Sequence, residues 1–167
     1  MRRDKHSFVK MKVKKILFDK ESNVSLVFLA NVHDEEQVFP IVTGIGGKQN
    51  IIQIIKGIPF FRPLTHDLLN TIIMTLEGTV SHVIIDKLDN DDVVATVHIK
   101  THHKEISVES QASDAIAIAL KAKTPIYTAK DLLIRNSEIQ EGIDEINDRE
   151  FHEWLNRLDS SPTDKNR

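Results

Sequence analysis

Apolar and polar positions alternate along the first third of the chain. Residues 9–18 place Val9, Met11 and Val13 between lysines, and residues 24–32 are rich in β-branched and bulky apolar side chains. Both patterns predict β-strands, with a polar turn at residues 19–23 between them. A third strand is predicted over residues 37–43, after an acidic turn at residues 34–36.

Helical spacing replaces the alternation after residue 43. Residues 44–47 predict a glycine loop, and four isoleucines within residues 51–55 predict a buried helix that ends near Gly57. A second helix is predicted from Thr65, a suitable N-cap residue, to a stop at Gly78. Its apolar positions fall on one helical face and comprise Leu68, Leu69, Ile72, Ile73 and Leu76.

The order of three strands followed by helices then occurs a second time. Strands are predicted over residues 80–88, 93–100 and 105–108, followed by a buried helix over 113–122, a short strand over 125–128 and a helix from near Lys130. Three strands and then helices, twice, predict a duplicated α+β unit. An amphipathic helix is also predicted over 143–158, with apolar positions at Ile143, Ile146, Phe151, Trp154, Leu155 and Leu158.

The length of 167 residues predicts a single domain, which we place at residues 9–158. We expect a flexible N-terminus at residues 1–8 and a disordered tail at residues 159–167. The chain has no cysteine, which excludes disulfides, thiolate metal sites and cysteine nucleophiles. No apolar run approaches the ~18 residues of a membrane span, and no secretory signal is recognisable, so we expect a cytoplasmic protein.

The charge of the chain is low but unevenly distributed. The formal net charge is −3, which gives no global basic field of the kind that favours nucleic acid. Residues 136–167 carry nine acidic and four basic side chains, whereas the rest of the chain is mildly basic. Most asymmetries of this kind are solvated surface, although an acidic tail can also mediate contacts.

Three loop-to-helix junctions, at residues 44–48, 62–67 and 110–114, place polar groups at predicted helix N-termini. Free backbone N–H groups and the helix dipole favour anions at such positions. The glycine segment is not a Walker A motif, because Gln49 stands where Ser or Thr would bind magnesium. A tight turn together with close helix packing is therefore the favoured interpretation of its glycines, with phosphate binding as the alternative.

The second junction supplies the best local candidates for chemistry. His66 and Asp67 are suited to acid–base catalysis or metal binding, and Arg62 can pair with a phosphate. The alternative is purely structural, since an acid such as Asp67 or Asp114 in the first turn stabilises a helix without any function. His98 is predicted to share a solvated strand face with Val94, Thr96 and Lys100, so this histidine, His102 and His103 are interpreted as solvated rather than ligating.

Two motifs in the chain are specific enough to indicate a family. Residues 62–69, Arg-Pro-Leu-Thr-His-Asp-Leu-Leu, and residues 113–120, Ser-Asp-Ala-Ile-Ala-Ile-Ala-Leu, followed by Pro125-Ile126-Tyr127, resemble signatures of the bifunctional nuclease domain family. Residues 40–44 and the closing segment with Phe151, Trp154 and Leu155 are similar to further parts of its pattern. The resemblance covers nearly the whole chain in order.

The resemblance implies two β3α2-like repeats that share one mixed, barrel-like sheet with flanking helices, in a homodimer or small homo-oligomer. It also implies a nuclease that hydrolyses phosphodiester bonds of DNA or RNA with Mg²⁺ or Mn²⁺. The catalytic candidates are then His66, Asp67 and Asp114. Phosphate or nucleic acid would be bound by Lys48, Arg62 and Ser113, and the metal by Asp67, Asp114 and Glu109.

The chain departs from the family pattern at two places. Gly47 stands where the family commonly has a glutamate, and Gln111 stands in a segment where it commonly has Asp-Ala-Arg-Pro. A carboxylate and an arginine are thus missing from plausible metal or phosphate positions. The alternative to a nuclease is a non-catalytic binding or oligomerisation module of the same fold, in which the motifs serve as caps and packing elements.

Overall fold

The computed structural model describes residues 7–18, 24–43, 45–57, 62–87, 93–137 and 139. Its strands are β1 (Phe8–Phe18), β2 (Ser25–Asn31), β3 (Gln37–Thr43), β4 (Thr79–Lys87), β5 (Val93–Lys100), β6 (Glu105–Ser110), β7 (Ile126–Ala129) and β8 (Ile134–Arg135). Its helices are α1 (Ile45–Lys56), α2 (Thr65–Thr75) and α3 (Ala112–Ala122), with a 3₁₀ turn at Lys130–Leu132.

The eight strands form one mixed sheet in the order β6-β5-β4-β7-β1-β2-β3-β8. Two antiparallel meanders, β1-β2-β3 and β4-β5-β6, are joined by β7, which pairs antiparallel with β1 and parallel with β4. Within the described residues β6 and β8 are edge strands that do not pair with each other. The α+β class is therefore confirmed, but the sheet is open and the expected barrel-like closure was wrong.

The main core lies between one face of the sheet and the helices. Its centre is α3, whose residues Ala115, Ile116 and Ala119 are fully buried against Val83, Ile85 and other inward strand residues. Alternating apolar positions of β4 and β5 point to this face, as the period-2 pattern requires. The prediction of a buried helix at this position is confirmed, with its start one residue earlier.

Strand β2 is buried on both faces, because a second apolar cluster covers its other side. Val27 and Leu29 belong to the main core, whereas Leu26 and Phe28 pack with Val38, Ala30 and Ile139. The ammonium group of Lys15 lies 4.6 Å from the centre of the Phe28 ring, a cation–π contact. This double burial accounts for the continuous apolar run in the sequence of β2.

The helix termini differ from the predictions at three positions. Helix α1 already begins at Ile45, so Gly46 and Gly47 of the expected glycine loop lie in its first turn, and Gly44 lies outside the described residues. Leu64, not Thr65, is the N-cap residue of α2, and its backbone N–H donates to Asp67 Oδ2 at 3.0 Å. The left-handed residue that follows α2 is Glu77, with φ of 58°, rather than Gly78. Gly57, with φ of 59°, follows α1 as predicted.

At Lys130, where a helix was predicted to begin, the structure has a three-residue 3₁₀ turn, and helical residues follow at 136–137 and 139. The order of three strands and then helices occurs twice, and among the complete described elements the second group has one α-helix where the first has two. Duplication therefore stays a prediction. The amphipathic helix at 143–158 and the flexible terminal segments lie outside the described residues.

The apolar face of α2 is largely exposed. Only His66 is buried in this helix and Ile73 packs partly against the core, whereas Ile72 is 45% and Leu76 is 73% exposed. The exposed apolar side chains on one side of the helix, which we call the α2 face, are Leu68, Leu69, Ile72 and Leu76. Within the described residues this face has no covering element, and contiguous exposed apolar surface is typical of interaction sites.

None of the helices in the described segments has the length and apolar character that a membrane-spanning helix needs.

Candidate functional site

The N-terminal turns of the three helices meet at α3. Gly47 in the first turn of α1 contacts Ser113, and His66 in the first turn of α2 contacts Asp114. The three junctions that the sequence analysis selected are therefore brought together, although they are separated by up to 66 residues along the chain. Each turn presents backbone N–H groups without helical acceptors, so their convergence creates an environment that favours an anion.

Gly47 allows α1 to approach α3 closely. A Cβ atom at this position would lie 2.7 Å from Ser113 Cβ and 3.0 Å from its Oγ, which is closer than van der Waals contact. The interpretation that the glycine serves close helix packing is confirmed for this residue. A glutamate at position 47 would require the two helices to move apart.

His66 and Asp114 form the most distinctive pair of this site. His66 Nε2 lies 3.2 Å from Asp114 Oδ1, and the side chains are 7% and 46% exposed respectively. An ionised carboxylate only accepts hydrogen bonds, so the imidazole donates from Nε2. The buried ring therefore fixes the orientation of a carboxylate that solvent can still reach.

Asp67 connects α2 to the other end of α3. Its Oδ1 lies 2.5 Å from the Lys121 ammonium nitrogen, and its Oδ2 accepts the Leu64 N–H. The hydrogen bond from Lys121, and secondly that from Leu64, lower the pKa of Asp67 below its ordinary value. Both carboxylate oxygens of Asp67 are thus engaged within the protein.

We expect the contribution of Asp67 to stability to disappear in acid. Because its pKa is lowered in the folded state, Asp67 stabilises the fold at pH values above about 3.9, the ordinary carboxyl pKa, and this stabilisation is lost as the pH falls through the lowered value. Asp67→Asn should therefore be less stable than wild type at pH 7, with the difference vanishing towards pH 2. Urea unfolding across this range measures it.

Lys121→Gln is the matched control for this pH dependence, because it removes the same ion pair but keeps the bond from the Leu64 N–H. At pH 7, Lys121→Gln should lower the free energy of unfolding by less than Asp67→Asn does. If the difference in free energy of unfolding between wild type and Asp67→Asn stayed the same from pH 7 to pH 2, the assigned ion pair would be contradicted.

The remaining predicted site residues lie less centrally. Arg62 is exposed just before α2, and Lys48 belongs to the first turn of α1, although its side chain lies outside the description. Glu109 on β6 pairs with Thr96, on the face of the sheet opposite α3. Asp67, Asp114 and Glu109 do not form a cluster of three ligand atoms in the described part of the chain.

A second polar cluster lies on that opposite face, and one of its members, His98, was interpreted from the sequence as solvated. The rings of His82 and His98 stack with their centroids 4.2 Å apart and an interplanar angle of 7°. Burial, and secondly the neighbouring His98, lower the pKa of His82. The predicted strand face of His98 is confirmed, but its histidine partner was missed because strand pairing is not visible in the local pattern.

Comparison with known proteins identifies relatives of the chain. Residues 27–141 match the model of the bifunctional nuclease domain family. Two uncharacterized proteins of Mycobacterium tuberculosis, from strains CDC 1551 / Oshkosh and ATCC 25618 / H37Rv, are each 29% identical over 145 residues. Each alignment covers 83% of this chain and 87% of the relative.

Proposed function

Because this chain belongs to the bifunctional nuclease domain family, we propose that it hydrolyses phosphodiester bonds of DNA or RNA at the junction of α1, α2 and α3. The observation that carries the proposal is the His66–Asp114 contact, which joins the two family motifs across 48 residues. It places an accessible carboxylate among three helix N-termini. This combination supplies both an anion site and a group that can bind a cation or accept a proton.

The proposed roles follow from exposure and existing partners. Asp114 is accessible, so we assign it to the ion or to the proton of the attacking water. His66 is too buried to meet a large substrate and acts as a positioning residue that orients Asp114. Asp67, whose oxygens are both engaged, holds α2 against α3 rather than contacting substrate.

The donor chemistry fits Mg²⁺ or Mn²⁺, since these ions prefer oxygen ligands and are often held by one or two carboxylates together with substrate phosphates. A bound ion would neutralise the phosphate and lower the pKa of the attacking water. The phosphate would meet the backbone N–H groups of the helix N-termini and the Ser113 hydroxyl. Arg62 and Lys48 are the proposed contacts to neighbouring phosphates.

The first test is cleavage by the purified wild-type chain. We expect degradation of single- or double-stranded DNA or RNA in the presence of about 1–10 mM Mg²⁺ or Mn²⁺, and its arrest by a chelator. A substrate panel read on denaturing gels measures this. Absence of cleavage with every substrate and both ions would contradict the nuclease assignment.

The second candidate function is a non-catalytic oligomerisation module, which is favoured by one specific observation, the exposed α2 face. Four apolar side chains on one side of α2 expose surface that a second copy of the chain can cover, and closed homodimers are the commonest way to do so. We therefore propose self-association through this face, which is compatible with either function.

Self-association should appear as a mass above the 19.0 kDa of one chain. Sedimentation velocity at micromolar concentration measures it, and Leu68→Gln/Ile72→Gln should shift the distribution towards the monomer because it removes apolar contact area. Val108→Gln, an exposed apolar residue of β6, is the control. A wild-type monomer would contradict the proposal, and an oligomer that both variants retain would exclude the α2 face.

A further inference from the structure

The face of the sheet opposite α3 carries a second group of potential metal ligands. His82 of β4 pairs with His98 of β5, and His98 pairs with Ser107, two residues after Glu105 on β6. His82, His98 and Glu105 each offer one ligand atom, and these atoms all lie within 4.8 Å of one another. Among the described residues, it is the one group of three His, Asp or Glu side chains whose ligand atoms lie this close together. We call it the outer cluster.

The hydrogen bonds of the outer cluster define the tautomer of His82. Ser81 Oγ donates its proton to the carbonyl of His98 at 3.1 Å, and it lies 2.9 Å from His82 Nδ1. Since the single hydroxyl proton is used, the serine accepts from Nδ1–H. The lone pair of His82 is therefore on Nε2, which is the state that a metal ligand needs.

The polar partners of His98 gather at its Nδ1 atom. Ser107 Oγ lies 3.2 Å from His98 Nδ1, and Glu105 Oε1 lies 3.7 Å from the same nitrogen. Ligating histidines in proteins commonly have an oxygen partner on the other ring nitrogen, which fixes the ring orientation. Of the two histidines, His82 has such a partner on the nitrogen opposite its free lone pair, whereas Ser107 and Glu105 share one nitrogen of His98. The stacked rings are held side by side.

The donor set determines which ion fits. Two imidazoles and one carboxylate are typical ligands of zinc, and sites with three protein ligands keep a position open for water or another small ligand. Mg²⁺ prefers oxygen ligands and is a poor match. His82 also lines a cavity of about 360 Å³ whose wall includes Lys100 and Tyr127, so a further ligand has room beside it.

From these observations we propose that His82, His98 and Glu105 bind one zinc ion on the outer face of β4, β5 and β6. The site is separate from the proposed nuclease site, uses different ligands and selects a different ion. Ion binding requires the ligand atoms to draw together from separations of up to 4.8 Å to roughly 3.4 Å, the spacing around a tetrahedral zinc with bonds of about 2.0–2.1 Å. Rotation of the exposed Glu105 side chain and small rotations of the two rings supply this movement.

The experiment is a zinc titration of the full chain without an affinity tag. Isothermal titration calorimetry in a large excess of Mg²⁺ records the binding. We expect one zinc per chain with a Kd in the micromolar range or below. His82→Gln/His98→Gln should weaken binding by at least about 100-fold, and Glu105→Gln by about 10-fold. Glu105 is 45% exposed, so its replacement tests the site without endangering the fold.

His102→Gln/His103→Gln is the matched control, since it removes two exposed histidines from the adjacent turn and should leave the Kd unchanged. His66→Gln should also bind zinc normally. Cobalt substitution gives a second readout, because tetrahedral Co²⁺ with nitrogen ligands absorbs strongly in the visible range. The titration measures binding and not cleavage, so its outcome is independent of the nuclease proposal.

Three results would overturn the proposal. These are the absence of saturable zinc binding by the wild type, an unchanged Kd in both His82→Gln/His98→Gln and Glu105→Gln, and loss of the ion in His66→Gln or in the control instead. The last result would move the ion to another part of the chain.

Discussion

Asp114→Asn is expected to slow phosphodiester cleavage by about 10²- to 10⁴-fold, the range typical of removing a group that takes part in proton transfer. The amide keeps the shape of the side chain and can still accept the hydrogen bond from His66 Nε2. It cannot bind a cation as a carboxylate does, nor accept a proton at neutral pH. Because Asp114 is 46% exposed, the fold should tolerate this change. Single-turnover cleavage at saturating metal measures the rate.

Asp34→Asn is the control for this variant, since Asp34 is a half-buried aspartate in the turn between β2 and β3 whose carboxylate accepts the Glu36 N–H. It should cleave at the wild-type rate. His66→Gln should have an intermediate effect of about 10- to 100-fold, because glutamine retains an N–H donor but not the ring geometry. Equal rates for wild type and Asp114→Asn would assign the cleavage to a contaminating enzyme and refute the proposed site.

Ile116→Ala should destabilise the fold by about 2–5 kcal/mol, the usual cost of truncating a fully buried isoleucine. Ile116 has no exposed surface and packs in the main core at the centre of α3. The loss combines the transfer free energy of the removed groups with the cavity that remains. Urea unfolding measures this loss of stability. The slope of the free energy of unfolding against urea concentration should be unchanged.

Ile72→Ala is the matched control, because it makes the same replacement in a helix at a residue that is 45% exposed. It should change the free energy of unfolding by less than about 0.5 kcal/mol in the monomer. If Ile72→Ala lowered the free energy of unfolding as much as Ile116→Ala, the α2 face would have to be covered in solution. A loss below about 0.5 kcal/mol at Ile116 would contradict its place in the core.

The strands were predictable because their apolar alternation is a local property of the sequence. The bounds of β3 and β5 match the prediction, β1 begins one residue earlier than predicted, and β2 and β4 differ by one residue at each end. The helix starts were less predictable, because the N-cap of α2 depends on the Asp67 carboxylate and not on the residue with the highest capping preference. The apolar pattern of α2 indicated a helix correctly, but amphipathicity cannot tell whether a domain or a partner covers it.

The candidate site was predictable only in parts. Capping chemistry and helix starts selected the three junctions, but their convergence depends on α3 packing against both α1 and α2. Lys121 was missed because it lies seven residues after Asp114, at the other end of the helix. One signal for the outer cluster was present: His82 and His98 are equidistant from position 90, so a hairpin centred in the polar segment 88–92 places them opposite each other.

The position of β7 has a consequence for how the chain is assembled during synthesis. Phe8 pairs with Ala129, and β7 inserts between β1 and β4, so the two meanders share no sheet hydrogen bonds until residues 126–129 have left the ribosome. The first meander, which ends at Thr43, must therefore wait with one side of β1 unpaired while the 86 residues from 44 to 129 are made, at roughly 5–20 residues per second. Its lysine-rich β1, with Lys10, Lys12, Lys14 and Lys15, carries the like charges that discourage two such nascent edges from pairing with each other.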